Sequence, residues 1–193
     1  MELEIPRVKR SFESIVLIGM MGAGKSSVGR SLHRRTGMAF LETDEIVASN
    51  LGMSIPQIFF TQGEKKFRKT ETEALQTICG TKRAVIVTGG GIVLRKENVE
   101  ILKRLGLIVW LDGDDEALFA RAARTTDRPL LQTKNPREAF SQIFHARKPL
   151  YAQIADIRLD TSQLTVEEVA TAILSKLRRL NRKPGSSIPA TTL

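Results

Sequence analysis

The octapeptide Gly19-Met20-Met21-Gly22-Ala23-Gly24-Lys25-Ser26 limits the possible folds of this chain more than any other segment. Its spacing is G-x-x-x-x-G-K-[ST], and its surroundings agree: the apolar run Ile15–Ile18 precedes it, and a helical stretch from Ser26 to about Thr36 follows. Glycines let a backbone wrap closely around phosphate oxygens, and the N–H groups of a helix start point at the anion. The lysine of such a loop reaches the outer phosphates, and the hydroxyl after it can hold Mg²⁺. The candidate phosphate ligands are therefore Gly22, Ala23, Gly24, Lys25, Ser26 and Ser27. The segment implies a nucleotide-binding domain whose sheet contains the strand–loop–helix unit. The chain has no Asn-Lys-x-Asp guanine-reading motif, and 193 residues leave little room for a motor, so a small phosphotransferase remains.

The rest of the chain alternates short apolar runs with amphipathic stretches, the pattern of an α/β sheet. Strands are expected at Ile15–Ile18, Ala39–Leu41, Ala84–Thr88, Leu107–Leu111 and Ile157–Leu159. Val85-Ile86-Val87 and the run Leu107–Leu111 are continuously apolar, as in parallel strands buried on both faces. Val166, Val169, Ala170, Ile173, Leu174 and Leu177 mark a C-terminal helix, with Thr165 as its N-cap. One domain is expected over 13–181, flanked by a flexible extension over 1–12 and a disordered basic tail over 182–193. Thirty Lys and Arg against 21 Asp and Glu leave +9, which favours anionic ligands. The basic C-terminal cluster reads as a solvated face rather than a nucleic-acid site. The apolar run from Ser14 to Gly24 is too short to span a membrane, and the lone Cys79 excludes an intrachain disulfide and fits a reducing compartment.

Acceptor chemistry is expected over about 42–79. Glu42 and Asp44 follow the second strand and would face the loop if the strand continued; one could support Mg²⁺ and the other accept from an acceptor hydroxyl, or Asp44 could instead open and cap the next helix. A helical pattern over Gly63–Cys79 aligns Phe67, Ala74, Leu75 and Ile78, with Glu64 and Glu71 in the same stripe and Arg68 at its edge. Arg68 can pair with Glu71, as a buried carboxylate requires, and an arginine held that way can still clamp a carboxylate bidentately. Gly89-Gly90-Gly91 would let a ligand approach bare backbone. Arg121, Arg124, Arg128, Lys134, Arg137, Arg147 and Lys148 surround a turn-rich segment, a basic lid over about 122–135. Arg147 is expected near the end of a helix, before Pro149. His33 and His145 read as surface residues, and Cys79 and Trp110 as structural ones.

In order and spacing these pieces resemble shikimate kinase from about Ile15 to Leu180: the loop, Phe40–Asp44, Phe-Arg-x-x-Glu at 67–71, the three glycines, Arg-Pro-Leu-Leu at 128–131 and Arg-x-Pro-Leu-Tyr at 147–151. The resemblance implies a three-layer P-loop kinase fold with a five-stranded parallel sheet in order 2-3-1-4-5 and a mobile lid. It implies transfer of the γ-phosphate of MgATP to the 3-hydroxyl of shikimate, in the pathway to aromatic amino acids. Carried over, Lys25, Asp44 and Arg128 are catalytic, and Arg68, Arg147, Glu71 and Gly89–Gly91 form the acceptor pocket. Arg121 flanks adenine, Ser26 holds Mg²⁺ directly, and Glu42 holds it through water. The family usually reads Asp-x-Asp where this chain has Glu42-Thr43-Asp44, so the Glu42 carboxylate sits on one extra methylene. The implied partners are shikimate and ATP, with neither nucleic acid nor membrane, for a cytoplasmic monomer. A sugar-acid kinase of the same fold and a non-catalytic nucleotide-binding protein are the rival readings.

Overall fold

The computed structural model describes residues 12–125 and 128–181. The chain runs β1 (Ile15–Ile18), α1 (Lys25–Thr36), β2 (Ala39–Glu42), α2 (Thr43–Leu51), α3 (Ile55–Thr77), β3 (Ala84–Val87), α4 (Lys96–Leu105), β4 (Leu107–Asp112), α5 (Asp115–Ala122), α6 (Pro136–Ile154), β5 (Ile157–Asp160) and α7 (Val166–Asn181). Short 3₁₀ turns cover Ile92–Leu94 and Pro129–Leu131. The strands form one parallel sheet in the order β2-β3-β1-β4-β5. This is the expected order.

Alternation along the inner strands divides the core in two. Ile15, Leu17, Val85, Val87, Val109 and Leu111 face one layer with Leu32 of α1, Phe140 of α6 and Ile173 of α7. Val16, Ile18, Ile86, Ile108 and Trp110 face the other with Leu75 of α3, Leu102 of α4 and Tyr151 of α6. A satellite cluster of Val47, Ile58, Phe67 and Ala74 ties α2 to α3.

Several local expectations are corrected. β2 ends at Glu42 and α2 begins at Thr43, so of the two settings open to Asp44 it takes the first turn of a helix, not a continued strand. The helix expected from Gly63 starts at Ile55. Ser54 caps it through a reciprocal box with Gln57, and Gly63 kinks it at φ 76°, ψ 167°. Glu64 therefore opens the second arm, with its side chain half exposed rather than inside the stripe. Arg147 is within α6, which continues past Pro149 to Ile154. Cys79, expected to be structural, is exposed. β3 stops at Val87; Thr88 then fastens itself to Leu17 by two hydrogen bonds, from its N–H at 3.2 Å and its hydroxyl at 2.9 Å. Phe12, in the expected loose extension, exchanges two hydrogen bonds with Asn181 at 2.9 and 2.8 Å. The remaining residues of both expected termini lie outside the described residues. Among the described residues no helix is long and apolar enough to cross a membrane.

Candidate active site

The loop after β1 is held by close approach. A Cβ on Gly19 would meet Leu111 O at 2.3 Å, and one on Gly22 would meet Leu118 O at 2.1 Å, so bare backbone packs on β4 and α5. Gly24 takes φ 82° as the N-cap of α1. That helix start has no side-chain cap and no acidic residue in its first turn, so its N–H groups and dipole are available to an anion. Lys25 Nζ donates to Gly19 O at 2.9 Å and Met20 O at 3.0 Å. Burial pushes its ammonium down to about 8, with Asp44 opposing and Arg128 adding to the shift.

The Ser26 hydroxyl donates to Glu42 Oε1. The other Glu42 oxygen lies 3.6 Å from Arg30 and has no hydrogen-bond partner among the described residues. Asp44 Oδ1 is also buried without one. Burial raises the Asp44 carboxyl, while Lys25 draws it back down. The Ser26 hydroxyl and the Glu42 and Asp44 carboxylates line the same cavity and offer hard oxygen atoms, which suit Mg²⁺.

Gly89 brings the acidic residues together. A Cβ there would sit 2.6 Å from Asp44 Oδ1 and 2.8 Å from Glu71 Oε1. Its N–H donates to the buried Thr43 hydroxyl at 3.1 Å. Glu71 has no exposed surface, and burial pushes its carboxyl up to about 7 against the pull of Arg68. Arg68 Nη1 donates to both Glu71 oxygens, at 3.2 and 3.0 Å. Its Nε and Nη2 reach Glu64 at 3.1 and 2.9 Å. Burial works against the Arg68 charge, but the two glutamates more than restore it. Its guanidinium lies over Gly91, where a Cβ would come within 2.3 Å of Nη1. Arg147 is 6% exposed, and burial lowers its affinity for the proton.

These groups line two cavities that meet. The first, of about 400 Å³, opens on Lys25, Ser26, Glu42, Arg121, Arg124 and Arg128. The second is lined by Phe59, Phe67, Arg68, Glu71, Leu130 and Arg147. Both include Met21, Asp44, Gly89, Gly90 and Arg128. Of the seven basic residues grouped in the sequence, four reach this region. Arg137 instead pairs with Asp115 and Glu116 at 3.0 and 3.1 Å, and Lys148 lies over Phe144 at 5.0 Å. Lys134 lines neither cavity. Arg121 donates to Ala117 O and Thr161 O, leaving a buried Nη2 unpartnered among the described residues. Arg128 Nε is unpartnered in the same sense. Thr126 and Asp127, part of the expected lid, lie outside the described residues. Pattern reading assigned no role to Thr43, Phe59 or Tyr151. Only Tyr151 carried a signal, as the last residue of Arg-x-Pro-Leu-Tyr, one helical turn after Arg147.

A phosphate cradle at the carboxyl end of β1, beside a cation-lined pocket in a 2-3-1-4-5 sheet, is the architecture of the small P-loop phosphotransferases. The family model for shikimate kinase matches residues 21–178. A shikimate kinase of Thermodesulfovibrio yellowstonii is 44% identical over 169 residues, 88% of this chain and 97% of that protein. Two solved structures superpose closely. A shikimate kinase from Acinetobacter baumannii in complex with shikimate gives a TM-score of 0.85 at 36% identity, covering 90% of this chain and 97% of that one. A shikimate kinase from Aquifex aeolicus gives 0.75 at 36%, covering 88% and 99%. The chain belongs to the shikimate kinase family.

Proposed function

We propose that this chain phosphorylates the 3-hydroxyl of shikimate with ATP, a step towards the aromatic amino acids. One observation carries the reading beyond the family name. The phosphate cavity and the cationic pocket share Asp44, Gly89, Gly90 and Arg128, so a triphosphate in one has its reactive end beside a small acid in the other.

Phosphoryl transfer needs alignment and charge neutralisation more than covalent chemistry. In this reading Arg68 and Arg147 clamp the acceptor carboxylate, and Glu71 keeps Arg68 in place. Asp44 accepts the proton of the reacting hydroxyl; its raised affinity for a proton suits that task. Lys25 and Arg128 stabilise charge on the transferring group. Gly22, Ala23, Gly24 and Ser27 complete the phosphate cradle, and Arg121 flanks the base. Ser26 and Glu42 would hold Mg²⁺, which when bound neutralises phosphate charge. Within the single domain 13–181, the region of about 42–79 recognises the acceptor and the segment of about 122–135 acts as a lid over the phosphate site. The partners are shikimate and ATP alone, and the enzyme works as a monomer in the cytoplasm.

ADP release from MgATP is measured with shikimate and, in parallel, with gluconate. Release with shikimate alone is expected; release with gluconate alone, or with neither, sinks the assignment. Lys25→Ala lowers kcat by about 100-fold, the loss typical of one transition-state donor. Arg68→Ala mainly raises the shikimate KM, by about 10- to 100-fold, for the loss of a charged hydrogen bond. The reverse pattern in steady-state kinetics contradicts these roles.

A further inference from the structure

Tyr151 has no exposed surface and packs its ring against buried Trp110, with centroids 5.9 Å apart. Volume alone would be met by phenylalanine. The hydroxyl is what needs a reason, because a buried O–H is costly unless it is bonded. It donates to the carbonyl of Gly90. Burial also pushes this phenol up to about 12, so it keeps its proton at any working pH.

Gly90 lines both cavities. A Cβ on it would lie 3.4 Å from Gly19 O, 3.5 Å from Met21 N and 3.7 Å from Arg147 Nη1. A side chain at this position would therefore meet both the phosphate loop and the Arg147 guanidinium, which border the bare glycine. The next residue, Gly91, is covered by Arg68. The peptide joining Gly90 to Gly91 is trans, so its N–H points opposite to its C=O. A hydrogen bond that fixes the Gly90 carbonyl thus fixes the Gly91 N–H as well. Tyr151 stands four residues after Arg147 on α6, on the same helical face. One hydroxyl sets the backbone between the two arginines and lies beside one of them.

We propose that Tyr151 is a positioning residue for the acceptor carboxylate: its hydroxyl fixes the Gly90–Gly91 peptide, which Arg147 borders and Arg68 covers, and so keeps the backbone between the two arginines in the geometry the clamp needs. The inference rests on the reading of the second cavity as a carboxylate pocket. It predicts that the hydroxyl matters to the acceptor and not to ATP, although Gly90 adjoins the phosphate loop.

Tyr151→Phe removes the hydroxyl and keeps the ring. The shikimate KM rises about tenfold, as for one lost hydrogen bond. The KM for ATP stays within about twofold, and kcat changes less than the shikimate KM. The second arm replaces shikimate with its carboxamide, which gives the clamp no anion. The variant-to-wild-type ratio of KM then shrinks to below about threefold, because the variant has lost only what the carboxylate used. An unchanged shikimate KM overturns the proposal. So does an equal penalty on both acceptors, or an equal penalty on ATP with a large fall in melting temperature; the last result makes Tyr151 a packing residue. Wild-type turnover of shikimate reports on the acceptor assignment and the variant ratio reports on Tyr151, so the two failures are read separately.

Discussion

Lys25 combines two carbonyl hydrogen bonds with an ammonium pushed down to about 8 by burial. The charged form is what a phosphate needs, and it is lost as pH rises through that value. The kcat/KM for ATP reports the free enzyme, so it falls above about pH 8. Bound phosphates restore the charge, and the alkaline limb of kcat moves upward. Coincident limbs in the two pH profiles would contradict this assignment. Glu71 gives the opposite limb: its carboxyl is pushed up to about 7, and protonation removes the buried one of the two charges that hold Arg68. The kcat/KM for shikimate falls as pH drops through that value, and Asp44, also raised by burial, adds to the fall. Glu71→Gln gives a low kcat/KM at all pH with a shallower acid limb. The Arg68–Glu71 pair was legible from its three-residue spacing. Contact between Glu42 and the Ser26 hydroxyl was not, because it depends on where β2 stops.

At the scale of elements, α3 is the instructive case. Periodicity identified the arm after Gly63, which carries Phe67, Arg68 and Glu71. The arm before it was missed. Its signals were local, namely Ser54 with Gln57 three residues on and Pro56 in the first turn. Gly63 joins the arms at φ 76°, ψ 167°, a conformation open essentially to glycine, with nothing within 4 Å of a Cβ built there. Backbone strain and not collision therefore limits this position. Gly63→Ala costs about 1–3 kcal/mol in urea unfolding. Ser54→Ala costs about 1 kcal/mol through loss of the cap. Because Gly63 precedes Glu64 and Arg68 on the second arm, the glycine variant also raises the shikimate KM, whereas the cap variant does not.

The whole molecule is a sheet with a core on each face. Leu17 lies in one and Leu102 in the other, both without exposed surface. Replacing either with alanine costs about 2–5 kcal/mol, and the two losses are expected to add because the side chains belong to separate clusters on opposite faces of the sheet. A double variant more stable than that sum, by chemical denaturation, would show the cores to be coupled. Sequence alone determined the strand–loop–helix cradle, the five strands and the Arg68–Glu71 pair. Each rests on residues near in the chain, where spacing, propensity and apolar continuity act directly. Tertiary structure decided the rest. The cradle on α1, the carboxylates of α2 and α3, the three glycines after β3 and Arg147 of α6 are far apart in sequence. They meet only because parallel strands bring their carboxyl ends to one edge of the sheet. The hydroxyl of Tyr151 finds Gly90 across 61 residues for the same reason, and no periodicity encodes a contact of that range.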